Sequence, residues 1–445
     1  MRLAMITAGG AGMFCGSCLH DSTWAKSMLA RGHEATLIPC YTPLTLDDEP
    51  PTTSRIFIGG INLYLEQKYP LISRLPGWTR KWLDHPQILS FASRFSVSNE
   101  AKELGELALS MLRGAHGPHT KSFEELASFI VNEYRPDAVF FSNALMSGPL
   151  VNLRSRFRGP IFCMLQGDDI FLDGLLPEYR EQAIEQITAN ASLFDGYITQ
   201  SDYYARHMSS MLNLDLQKFA RLPLAVDTSR LMEDVQLDST LPSRSQRPVI
   251  GYFARICPEK GLHQLIEAGL ILAKRGLDFE IRAAGYLPPS QRDYLQAVQH
   301  RANPLKDRFR YEGSPPSIHG KNAFLRAIDL FSVPTTYREP KGIFLLEAWA
   351  HRLPVVQPAH GAFPEIVPAD DYSQAGGLLF SPDNPVDLAD QLEQLLLSPE
   401  MRMQMGAAGF AKLHHHHDLT ALGQATEELL SGWLLKHQSG QTSAT

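Results

Sequence analysis

Residues 249–285 read "VIGYFARICPEKGLHQLIEAGLILAKRGLDFEIRAAG". Val249–Phe253 is a short apolar run of strand length. Leu262–Arg275 carries apolar residues at helical spacing, and Phe279–Ala284 is strand-like again. Between the first strand and the helix, Arg255 and Lys260 stand five apart, with Pro258 and Gly261 placed to start the helix. A strand, a helix and a second strand in so few residues predict a parallel pair with a crossover helix.

The same alternation runs outward in both directions. Downstream, strands are expected at Phe309–Tyr311, Leu330–Val333, Pro354–Gln357 and Leu378–Phe380, with helices at Pro289–Arg301, Lys321–Ala327, Gly342–His351 and Pro385–Leu397. Upstream, strands are expected at Leu3–Thr7, Ala35–Pro39, Arg55–Ile58, Ala138–Ser142, Pro160–Leu165 and Gly196–Gln200. Helices there are expected at Ser17–Ala30, with Leu19, Trp24, Met28 and Leu29 on its apolar face, and at Ser122–Glu133 and Glu178–Asn190. The polar, proline-bearing stretch "VQLDSTLPSRSQRP" interrupts the pattern. The fold class is therefore α/β: two Rossmann-like, doubly wound domains, expected to face each other across a cleft. The divisions expected are 1–234, a linker at 235–248, 249–418, and a C-terminal helix and tail at 419–445 that packs back on the first domain. Ligands in such sheets sit at the carboxyl ends of the strands.

The bulk numbers fit. A chain of 445 residues suits two domains of about 200 residues each. Apolar residues make up 44% and charged residues 20%, as in an ordinary soluble protein. The net charge of −7 gives no general reason to expect nucleic acid as a partner. Five cysteines, at 15, 18, 40, 163 and 257, make no disulfide framework and suit a reducing cytoplasm. The sequence has no apolar run long enough to span a membrane, and "MRLAMIT" reads as a buried strand rather than a signal peptide.

Three segments of the second half carry candidate chemistry. Arg255 and Lys260, at a strand end before a helix N-terminus, suit a diphosphate. In "YREPKGIFLLEAWAHRLPVV", Tyr337–Val356, Glu339 precedes a helix whose first turn holds Lys341, Gly342 and Ile343. Glu347 lies eight residues further on, among Phe344, Leu345, Leu346, Ala348 and Trp349, and a carboxylate facing so apolar a core needs a partner. The third segment is "HGAFPEIV", His360–Val367.

The first half opens on "GGAGMFCGSC", Gly9–Cys18. Gly10-x-Gly12-x-x-x-Gly16 is a loose dinucleotide fingerprint. The acid that should follow at the end of the second strand is absent, since that strand ends Pro39-Cys40-Tyr41. A glycine turn without a ligand, or a loop shaped for another phosphate or sugar, are the other readings.

Together the motifs resemble family 4 retaining glycosyltransferases, of GT-B fold. The family's Glu-x7-Glu element is matched by Glu339 and Glu347, its Arg…Lys-Gly element by Arg255, Lys260 and Gly261, and its Gly-Gly-x-Pro-Glu turn by Gly361–Glu365. "RAAGY" with Gly285, "YEG" with Gly313, and "LARGHEATLIP" match more weakly. The resemblance implies a nucleotide-diphosphate sugar as donor, a UDP- or GDP-sugar, and no required cofactor or metal. Asp-x-Asp, the usual metal-bridging motif of the other major glycosyltransferase fold, is absent from the chain. It implies that Arg255 and Lys260 hold the diphosphate, Glu339 the donor sugar and Glu347 the ribose. Gly16, Gly285, Lys341, Gly342 and Ile343 would complete the donor site. In "FCMLQGDD", Gln166 stands where many members carry histidine, and Gln166, Asp168 and Asp169 become candidates for orienting the acceptor. The acceptor is a glycan, lipid or small molecule.

Two features stand outside that scheme. Residues 67–95 begin with "QKYPLISRLPGWTRKWLDHPQ", whose basic and aromatic residues suit peripheral contact with the inner face of a membrane or an acceptor flap. The run His414–His417 is expected to be solvated rather than metal-bound. Competing with the enzyme are an idle nucleotide-sugar sensor on the same fold and a thiol-disulfide protein using Cys15 and Cys18.

Overall fold

A computed structural model of the chain describes residues 1–8, 16–40, 101–114, 117–232, 247–368 and 375–442. The strand expected at Arg55–Ile58, the glycine loop with Cys15, the basic-aromatic stretch 67–95 and most of the linker 235–248 lie outside those residues. Contacts divide the chain into two compact units, Met1–Leu222 with Leu422–Thr445, and Pro223–Ala421.

The first unit is built on β1 (Arg2–Thr7), β2 (Glu34–Pro39), β3 (Ala138–Phe141), β4 (Ile161–Met164), β5 (Gly196–Thr199) and β6 (Phe219–Arg221). Their order is β2-β1-β3-β4-β5-β6, all parallel. The second unit holds β7 (Val249–Phe253), β8 (Glu280–Ala284), β9 (Phe309–Tyr311), β10 (Leu330–Phe331), β11 (Val355–Pro358) and β12 (Gly377–Phe380). Their order is β12-β11-β10-β7-β8-β9, again all parallel. From β7 the chain winds out through β8 and β9, then returns to the other side of β7 as β10. The strand order therefore reverses between β7 and β10, and a crevice opens at such a reversal.

Helices cover both faces, so every residue of β3, β4, β5 and β11 is buried. That explains why the strands read as continuous apolar runs without alternation. The edge strand β6 escapes the sequence reading because it has three residues, none of them buried. The helix Asp202–Met211 also escapes it. Its buried residues Tyr204, Ala205 and Met208 are spread among polar ones, and Ser201 caps it by accepting from the Tyr204 amide at 3.2 Å.

Two expected helices differ in detail. Leu29 is 41% exposed, so it leaves the apolar face assigned to the first helix, Gly16–Ala30. That helix instead buries His20, Asp21, Ser22, Thr23 and Ser27 beside Trp24 and Met28. The helix expected over Ser122–Glu133 is α only to Ser128. It then widens into a π turn, Phe129–Tyr134, which the Arg135 amide closes on the Ile130 carbonyl at 2.8 Å.

The C-terminal helix Leu419–Thr442 is fixed to the first unit from Leu422 onward. Trp24 Nε1 donates to Thr426 Oγ1 at 2.9 Å, and Glu427 takes Arg31 at 2.6 Å and His33 at 2.7 Å. In the second unit Trp349 is fully buried, and its Nε1 donates to the Gly376 carbonyl at 2.9 Å. Burying an indole of that size contributes about 4–6 kcal/mol by area. No helix among the described residues is long and apolar enough to cross a membrane.

Candidate functional site

The loops that follow β7 and β10 meet at the reversal of the second sheet. After β7, Cys257 leads into a single 3₁₀ turn, Pro258–Lys260, and Gly261 then starts the helix Leu262–Lys274. Gly261 has φ +72°, and a Cβ there would lie 1.7 Å from the Pro334 carbonyl oxygen. Only glycine lets the two loops approach so closely. After β10, the chain runs through Thr335 and Tyr337 to Glu339, and the helix Ile343–Ala350 begins after Gly342.

Glu339 is the hub. Its Oε2 accepts from Lys260 Nζ at 2.6 Å and from the Tyr337 hydroxyl. Its Oε1 accepts from the amides of Lys341 at 3.4 Å and Gly342 at 3.3 Å. Lys260 also donates to the Tyr337 hydroxyl oxygen at 2.6 Å, with its Nζ 5.1 Å from the Phe344 ring centre. Burial alone would raise the Glu339 pKa. The charge and hydrogen bond of Lys260, with the Tyr337 hydroxyl and the Gly342 amide, outweigh it and hold the carboxyl below its ordinary range. Burial first, and then the Glu339 charge, push the Tyr337 hydroxyl well up, so it stays a donor.

The third segment joins the same hub. The Ala362 amide donates to the Glu339 carbonyl at 2.8 Å, and His360 Nε2 pairs with the Thr335 carbonyl at 3.0 Å. Arg255 is exposed, and among the described residues it forms no ion pair. Gly285 lies pressed on the end of β7, where a Cβ would meet the Ala254 oxygen at 1.9 Å. Glu347 is buried within its helix, and its Oε1 accepts from Lys321 Nζ. The structure thus brings Lys260, Glu339, Lys341, Gly342 and the 361–365 turn together, with Arg255 on the exposed side of the same β7 loop. Lys341 and Ile343 flank the helix start.

Sequence reasoning missed Tyr337 and Lys321. Tyr337 stands two residues before Glu339, a spacing open to inspection. Lys321 carries no linear signal, because it lies 26 residues from its partner on a different helix.

The first unit's candidates are arranged otherwise. Gln166 is buried, and its amide group donates to Asp21 Oδ1 at 3.0 Å and the Ser142 carbonyl at 2.8 Å. Asp168 accepts from the amides of Ala144 at 2.6 Å and Gln166 at 2.9 Å. Burial raises its pKa to about 6, against the pull of those two amides. Asp169 takes the Tyr204 hydroxyl at 2.6 Å and lies 3.2 Å from His207 Nε2. Gly16 is exposed at the first residue of its helix. Cys40, Cys163 and Cys257 are free thiols and buried, and Cys18 is buried as well. His414, His415 and His416 are exposed at a helix end, while His417 Nδ1 pairs with the Leu224 carbonyl at 2.8 Å. No group of three or more metal-ligating side chains gathers among the described residues.

Residues 236–412 match the family model described as glycosyl transferases group 1. Residues 236–412 are thus similar to group 1 glycosyl transferases. The loops that follow β7 and β10 lie within the matched residues. The chain is 31% identical over 161 residues to the alpha-D-kanosaminyltransferase of Streptomyces kanamyceticus, covering 36% of this chain and 39% of that one. It is 28% identical over 225 residues to the GDP-mannose-dependent monoacylated alpha-(1-6)-phosphatidylinositol monomannoside mannosyltransferase of Corynebacterium glutamicum, covering 48% and 56%. The chain spans about half the length of the curated relatives it matches. Among solved structures, a sucrose-phosphate synthase from Thermosynechococcus elongatus superposes with a TM-score of 0.68 at 14% identity, over 98% of this chain and 100% of that one. Anabaena HepE in complex with UDP gives 0.65 at 17% identity, over 97% and 100%. These superpositions show the GT-B fold.

Proposed function

We propose that the protein is a retaining glycosyltransferase that moves a sugar from a UDP- or GDP-sugar to the hydroxyl of a glycan, lipid or small molecule. The observation that carries this reading is the hub at the β7–β10 reversal. One buried carboxylate, Glu339, holds a lysine from one loop and the helix start of the other. Arg255 and Lys260 receive the diphosphate, and Glu339 exchanges part of its bonding for hydroxyls of the donor sugar. Glu347 takes the ribose, and Gly285 lets the backbone approach the nucleotide. The bond from sugar C1 to the diphosphate oxygen breaks, its electron pair leaving with the oxygen. The acceptor oxygen bonds C1 on the same face, and its proton passes to that departing oxygen. Fixed cations and a helix N-terminus stabilise the charge as it develops. No step draws on a metal.

A second reading, donor binding without turnover, rests on Gln166, which takes the place of a histidine and has both amide hydrogens engaged within the fold. Incubation with a panel of UDP- and GDP-sugars, following nucleotide release with a range of acceptors, separates the two. Release that Glu339→Ala and Lys260→Ala abolish supports the transferase. Donor binding with no release on any acceptor supports the sensor.

A further inference from the structure

Glu347 has an unusual setting. Phe344, Leu345, Leu346, Ala348, Trp349 and Ala350 of its helix are all buried, and its own side chain is 7% exposed. Burying a carboxylate there is costly without a counter-charge. Lys321, in the first turn of the helix Ile318–Arg326, supplies it. That side chain is itself 17% exposed, with Nζ 5.5 Å from the ring centre of Phe253, the last residue of β7. The pair therefore sits beside the strand that carries the candidate diphosphate loop. Lys321 engages Oε1 only, and Oε2 has no hydrogen bond among the described residues. His351, one turn on, is turned to the Glu347 carbonyl oxygen at 3.0 Å and does not compete for the carboxylate.

We propose that Lys321 is a positioning residue that makes the site selective for ribose over deoxyribose. It holds Oε1, fixes the plane of the carboxylate, and leaves Oε2 as the free acceptor for a ribose hydroxyl. Lys321 touches no part of the nucleotide and acts through Glu347. The proposal rests on the reading of the site as a nucleotide-sugar site. It adds to Glu347, which takes the ribose, the residue that orients it. A merely structural counter-ion would weaken every ligand alike.

The test is a cycle between protein and ligand. UDP and GDP, and their 2′,3′-dideoxy counterparts, are titrated calorimetrically into the unaltered chain, Lys321→Met, Lys321→Arg and Glu347→Gln. Lys321→Gln is carried alongside because Lys321→Met strands a buried carboxylate. The unaltered chain is expected to prefer the ribose form by roughly 10- to 100-fold, the range of one or two hydrogen bonds to a charged group. Lys321→Met and Lys321→Gln lose about tenfold on the ribose form and little on the dideoxy form, and Lys321→Arg keeps most of the preference. A preference that survives in Lys321→Met or Lys321→Gln but vanishes in Glu347→Gln overturns the role of Lys321 and leaves the donor site standing. Equal weakening of both ligand forms also overturns it. Failure of the unaltered chain to bind either nucleoside diphosphate overturns the donor reading, and this proposal with it.

Discussion

The two units bear carboxylates at the ends of similar parallel sheets, yet they satisfy them differently. In the second unit, Glu339 and Glu347 are matched by lysines from other elements, Lys260 and Lys321. In the first unit, Asp168 is consumed by two backbone amides, and Asp169 by a tyrosine hydroxyl and a histidine. A lysine can leave its carboxylate for a phosphate, since both are anions. A backbone amide that caps a loop cannot leave without unfolding that loop. On the proposed reading, the reactive site is marked by the partner's freedom to exchange rather than by a buried acid alone.

The sharpest way to break this comparison is to remove one member from each side. Lys260→Ala should lower donor turnover by roughly 10²- to 10³-fold, the range for a group that stabilises charge in the transition state. Asp169→Asn, judged by the same assay, should change it far less, because its partners are internal to the fold. Similar losses in the two variants would erase the distinction.

Next in size is a control on packing. Trp349→Ala should destabilise the second unit by about 3–5 kcal/mol in denaturant unfolding, since it empties a fully buried site beneath the Glu347 helix. A smaller effect concerns pH. The pKa of Asp168 is raised to about 6 in the fold, so the folded state holds its proton more tightly than the unfolded chain does. That contribution is fully present below about pH 4 and is lost as pH rises through about 6. Asp168→Asn should flatten the stability profile in that window. The smallest effect is expected at Glu427, held to about 2 by hydrogen bonds from Arg31 and His33 at a partly exposed site. Its contribution is present above about pH 4 and fades as pH falls toward 2. Glu427→Gln should remove that fading in acid titration with little change at neutral pH.

Much of this was legible in the sequence because buried parallel strands leave compact apolar runs. Val249–Phe253 and Phe309–Tyr311 were bounded to the residue. The reversal between β7 and β10 was not legible, because strand order depends on which neighbour a returning strand chooses. The residues of the second unit's hub were visible as motifs, since glycines and charged residues cluster where loops pack closely. Their pairing was not. Lys321 and Glu347 meet only through the fold, and the polar burial of the first helix, with His20 and Asp21 inside, runs against any hydrophobic pattern. Asp168 and Asp169 are candidates for orienting the acceptor in the sequence, where nothing linear reveals that Ala144, Tyr204 and His207 pair with them.

The central claim is that the charge-paired strand ends of the second unit receive a nucleoside diphosphate. Calorimetric titration of UDP and GDP into the unaltered chain and into Lys260→Ala tests it directly. One of the two nucleotides should bind the unaltered chain, and its dissociation constant should rise at least about tenfold in the variant, the loss of a charge-assisted contact. An unchanged dissociation constant in Lys260→Ala, or no binding of either nucleotide to the unaltered chain, would contradict it.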